Sequence, residues 1–121
     1  MLTFLLSPLA LIRLEGLAAA VLAAVVYSRI SGSWLVFVLL FLVPDLSMLG
    51  YLAGPRAGSA IYNIVHTYLA PILLGAYGVF TQGALILSLA LILFAHIGID
   101  RLLGFGLKYP SGFRDTHLQQ L

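Results

Sequence analysis

Four stretches of this chain are apolar for about the 20 residues that a helix needs to cross a bilayer, and together they leave room for little else. A chain of 121 residues that is 62% hydrophobic and 8% charged, with mean hydropathy +1.11, departs far from soluble domains, in which about a quarter of residues are charged. The expectation is one integral membrane domain over residues 1–121, with no soluble domain besides. There are no cysteines, which excludes disulfides, thiolate metal sites, iron–sulfur clusters and cysteine nucleophiles. The net charge of +2 and pI near 9.2 do not point to nucleic acid, because the six basic residues are scattered at span ends and form no patch.

The first span is expected over about 8–28. Arg13 follows the first leucines instead of preceding them, so this stretch reads as an uncleaved span and not as a secretory signal. Gly16, Ala20 and Ala24 form one small-residue stripe and Ala19 with Ala23 a second, which allows close helix approach. Arg13 is long enough to snorkel to the interface, whereas Glu15, about two turns in, looks trapped. Ser31-Gly32-Ser33 makes the turn into a second span over about 33–52, with Trp34 as an interfacial anchor. Pro44 removes a backbone donor and pushes against the preceding turn, so this helix is expected to kink where Asp45 appears.

Gly54-Pro55-Arg56-Ala57-Gly58 reads as a tight connection to a third span over about 59–80, on which Tyr62, Asn63, His66 and Thr67 share a face, with Pro71 breaking the ladder one turn later. Thr81-Gln82-Gly83 closes a hairpin into a fourth span over about 84–103, stopped by Gly104-Phe105-Gly106. Residues 107–121 form a tail that mixes aromatic and charged residues as an interfacial segment does. The expected fold is all-α: a four-transmembrane-helix up-down-up-down bundle with short loops. With an even number of spans the termini share a side, and that side gathers Arg13, Arg56, Arg101, Lys108 and Arg114 against Arg29 on the other. By the positive-inside rule it is cytoplasmic, as is the C-terminal tail.

The fourth span turns ionisable near its far end, at His96-Ile97-Gly98-Ile99-Asp100-Arg101. Four residues carry a helix slightly more than one turn, so His96 and Asp100 share a face about 6 Å apart. Ionisable groups in hydrocarbon cost about 2.5 kcal/mol or more each when charged, so they normally face a bundle interior with partners. At about 1.5 Å per residue from the cytoplasmic end, Glu15, Asp45, His66 and His96 all fall roughly 10 Å deep and Asp100 about 5 Å. Helices of alternating direction have little reason to agree in this unless the groups meet.

Two imidazoles and up to three carboxylates, with no sulfur, suit iron, manganese or zinc. His66, His96, Asp100 and Asp45 are the expected ligands and Glu15 a ligand or catalytic general base. Tyr62, Asn63 and Arg101 are expected around them, with Tyr62 and Asn63 orienting His66, and His117 is a possible lid if the tail folds back. Ferritin-like bundles use Glu-x-x-His pairs, whereas this chain has Asn63-x-x-His66 and His96-x-x-x-Asp100, so a mononuclear site stands beside a dinuclear one.

Three functions follow from such a layer. The favoured one is a metal-dependent membrane enzyme acting on a lipidic or amphipathic small molecule. The second is an accessory subunit of a larger membrane complex, or a homo-oligomer, in which the polar groups only bond across helices and fix packing. The third is axial ligation of haem by His66 and His96.

Arg13-Leu14-Glu15-Gly16, Pro44-Asp45-Leu46-Ser47-Met48-Leu49-Gly50-Tyr51, Tyr62-Asn63-x-x-His66-Thr67, His96-Ile97-Gly98-x-Asp100-Arg101 and Gly106-x-Lys108-Tyr109-Pro110 together resemble a DUF4260-like family of small four-span bacterial membrane proteins, a domain of unknown function. The resemblance spans nearly the whole chain. It implies the four-helix fold and a bacterial cytoplasmic membrane location, draws attention to the same polar residues, and carries over no activity.

Overall fold

The computed structural model describes residues 6–30, 33–108, 116 and 118. Its regular elements among these residues are helical: α1 (Pro8–Ile30), α2 (Trp34–Phe41), a 3₁₀ helix (Val43–Ala53), α3 (Pro55–His66), α4 (Leu69–Phe80) and α5 (Ala84–Leu103), with an isolated bridge between Lys108 and Thr116. Among the described residues three helices are long and apolar enough to cross a membrane: α1, α2 with its 3₁₀ continuation, and α5. The count rises to four when α3 and α4, bent by 44°, are taken as one broken span.

The side-chain distribution inverts that of a soluble domain. Large aliphatic residues such as Leu22, Leu52 and Leu73 lie exposed on the outside, while the buried set is rich in small residues, Ala20, Ala23, Ala90 and Ala95 among them. In hydrocarbon an exposed leucine costs nothing, and close approach of helix backbones is what drives association. α1 packs chiefly on α5 through Gly16, Ala20, Ala23 and Tyr27, a single stripe that draws from both expected ones. At the crossing a Cβ on Gly98 would lie 2.5 Å from the Gly16 carbonyl oxygen and 2.8 Å from the Ala20 nitrogen, so only glycine permits this approach.

Pro44 and Pro71 act upstream of themselves. Pro44 offers no N–H to the Phe41 carbonyl, and the Asp45 N–H bonds to Leu42 instead (3.2 Å), so the α-helix ends at Phe41 and continues as 3₁₀. The kink or loosening expected at Asp45 takes the form of a change from α to 3₁₀. Pro71 would collide with the carbonyl four residues earlier, which is that of Thr67, and Thr67 adopts an extended conformation (ψ 146°) that separates α3 from α4. The break expected at Pro71 thus falls a turn upstream, at Thr67. Pro55, expected in a connection, opens α3 in its first turn, where a missing N–H costs nothing, so this helix starts earlier than residue 59.

α5 ends at Gly104 in the left-handed region (φ 96°), where Gly104 and Phe105 N–H groups bond back to Arg101 and Asp100. The chain then passes beside α3, where Asn63 holds Lys108 by a pair of 2.7 Å bonds, side-chain amide to carbonyl and N–H to amide oxygen. Thr116 and Leu118 are buried too. His117 lies outside the described residues.

Candidate metal centre

The breaks at Phe41 and Thr67 release carbonyl groups at the level of the polar turn of α5, and α5 side chains take them up. The freed Phe41 carbonyl accepts from His96 Nδ1 at 2.5 Å. The Ala70 N–H turns to Thr67, and the His66 carbonyl it would have served accepts from Arg101 Nη2 at 3.1 Å. Arg101 is buried at 5% exposure and its Nη1 also donates to Phe105 (3.0 Å), so this guanidinium is spent on backbone oxygens and ties α5 to the end of α3.

His66 is fully buried. Its Nδ1 donates to the Tyr62 carbonyl at 3.0 Å and its ring stacks on the Tyr62 ring, 3.8 Å between centroids and 6° between planes. On the far side of Tyr62, the Lys108 ammonium sits 4.5 Å from the ring centroid. Burial draws that ammonium below its ordinary pKa, with Asp100 opposing the shift.

A carbonyl only accepts, so both histidines must carry their Nδ1 proton, and in the neutral rings both Nε2 atoms are bare lone pairs. They face each other at 3.2 Å. Around the same point lie Asp45 Oδ1, 3.5 Å from His66 Nε2 and 3.2 Å from His96 Nε2, and Asp100 Oδ2, 3.6 and 3.2 Å from the same two atoms. All four atoms fall within 4.8 Å of one another. Asp100 Oδ2 is buried and, among the described residues, receives no well-formed hydrogen bond.

Four acceptors pointed at one another in a low-dielectric interior repel unless a metal cation or a proton sits among them. The spacing fits a metal: bonds of about 2.0–2.1 Å in a tetrahedron place neighbouring ligand atoms about 3.3 Å apart. The donor set, two imidazole nitrogens and two carboxylate oxygens, belongs to zinc, iron or manganese. Two carboxylates and a divalent ion also sum to no net charge, which suits burial in hydrocarbon.

Asp45, His66, His96 and Asp100 therefore come together, and Glu15 does not join them: it lies on an exposed face of α1, because the Gly16–Ala20–Ala23 face is the one turned to α5. Its neighbour Arg13 is exposed as well and donates to the Leu102 carbonyl at 2.8 Å. Depth alone gave Glu15 its expected place, and depth says nothing about the face. Asn63 does not orient His66; it pins Lys108. Tyr62 holds His66 through its carbonyl and ring, and Arg101 through the His66 carbonyl. Haem between the two histidines does not fit, since Nε2 atoms 3.2 Å apart with carboxylates at the same point leave no slot for a porphyrin.

Sequence reasoning missed the Phe41 carbonyl, although its signal was present: a proline three residues after a carbonyl removes that carbonyl's 3₁₀ donor. No curated protein and no solved structure matches the chain. Residues 9–121 match the family described as a domain of unknown function (DUF4260), and the chain belongs to that family.

Proposed function

We propose that the chain is a metal-dependent integral membrane enzyme, a four-span up-down-up-down bundle with both termini cytoplasmic, in which Asp45, His66, His96 and Asp100 hold one divalent iron, manganese or zinc ion. The observation that carries this reading is the convergence of two Nε2 lone pairs and two carboxylate oxygens, with both Nδ1 protons already committed to carbonyls. Such an ion supplies Lewis acidity and a nucleophilic water, or oxygen chemistry if it is iron. The protein's own part is to fix the imidazole tautomers, keep Asp100 dry and leave an open side. Asp45 provides that side: its side chain is 43% exposed, against 0% for His66, 2% for His96 and 15% for Asp100. A site sunk in hydrocarbon and open beside one ligand favours a lipidic or amphipathic substrate over a water-soluble one.

Purification in mild detergent without a histidine tag, followed by elemental analysis, tests the proposal. Wild-type protein should carry stoichiometric iron, manganese or zinc. His66→Ala and His96→Ala should each abolish it while leaving the protein inserted, since the apolar spans supply the insertion energy, and His117→Ala should retain it. Protein that carries no metal and takes none up overturns the enzyme reading and leaves the accessory-subunit one.

A further inference from the structure

An apolar cleft lies about one helical turn from the four-residue cluster; none of the four ligands lines it, but several of its residues stand close to them in the chain. Pro44 precedes Asp45, Val65 precedes His66, and Leu93 lies one turn before His96; Val43 and, on α4, Leu74 are among the other lining residues. All of its lining residues are aliphatic or proline. The cavity is about 220 Å³. A dry apolar cavity of roughly 150 Å³ already accepts benzene, so this one takes a segment of a single hydrocarbon chain and not a fused-ring body. Val43 is 47% exposed, so the cleft opens on the outer surface, where large aliphatic side chains already lie.

Depth decides the occupant. α5 is 20 residues long, about 30 Å at 1.5 Å per residue, which matches the hydrocarbon core of a bilayer. Leu93 stands at its middle and the cluster lies one to two turns nearer the end that carries Arg101. Water and polar solutes are scarce at that middle, whereas alkyl chains are the solvent. We infer that the cleft holds the hydrocarbon chain of a bilayer amphiphile and lays it beside the metal centre, so that the substrate is recognised by its chain. This rests on the metal reading above and adds to it that the amphiphile is held by its hydrocarbon chain and how that chain lies.

The test uses the full chain, untagged, in phosphatidylcholine vesicles containing palmitic acid ¹³C-labelled along its chain, with the protein loaded with Mn²⁺ or with Zn²⁺ and its metal content measured in every sample. Mn²⁺ should shorten the relaxation of the labelled chain carbons relative to Zn²⁺, and excess unlabelled palmitate should remove most of the effect. Leu74→Trp, which fills the cleft from a helix that bears no ligand, should reduce it severalfold with metal content unchanged, and Leu74→Phe should do so to a smaller degree. An effect that unlabelled palmitate does not displace, or that survives both substitutions at full metal content, overturns the inference while leaving the metal centre standing. Wild-type protein without metal overturns both, and the metal measurement tells the two failures apart.

Discussion

At the scale of single residues, the side chains are sorted by which face of a helix they occupy. Glu15 and Asp100 are both carboxylates in apolar spans, yet one is exposed on α1 and the other has a buried oxygen that receives no well-formed hydrogen bond among the described residues. Asp100→Asn replaces an anionic donor by a neutral amide and should lower metal affinity by more than the 10–100-fold typical of losing a supporting hydrogen bond. Glu15→Gln should leave it unchanged, with both read by competition against a chelator of known affinity. The residue types at the site were legible from the sequence, since ionisable groups in hydrocarbon demand partners. The face was not: four residues in the same layer can point four ways, and the choice made by α1 depends on the Gly16–Gly98 contact.

At the scale of elements, the unusual feature is that two helices break beside the site and each break gives α5 a carbonyl. The loss of α-helix at Pro44 could be read from the chain, because a missing N–H is a property of the residue itself. The break at Thr67 could not be placed as well, since the collision that a proline imposes falls a turn upstream of it. Pro44→Ala restores an N–H that can return the Phe41 carbonyl to the helix, so His96 loses the acceptor that fixes its tautomer. Although no ligand is removed, metal affinity should fall about 10–100-fold, the usual cost of an outer partner. Chelator competition on the folded variant checks it, and affinity equal to wild type would mean that the Phe41 carbonyl does not hold His96.

For the whole molecule, the all-helical architecture followed from apolar span length alone, and the structure has three such helices, or four with the bent pair. Orientation rests on the basic residues, with Arg29 alone opposing five others. A reporter fused after Leu121 should read cytoplasmic and one placed in the Thr81-Gln82 turn external. The reverse pattern would invert the bundle and put the cluster near the outer leaflet.

The central claim is that Asp45, His66, His96 and Asp100 hold one metal ion, and X-ray absorption at the metal edge of the purified, untagged protein tests it most directly. The account predicts a first shell of nitrogen and oxygen only, with the outer-shell scattering of two imidazole rings and metal–ligand distances of about 2.0–2.2 Å. In His96→Ala protein reloaded with the same metal, the scattering of one ring should be lost. A shell of oxygens without imidazole, or a spectrum that His96→Ala leaves unchanged, would contradict it.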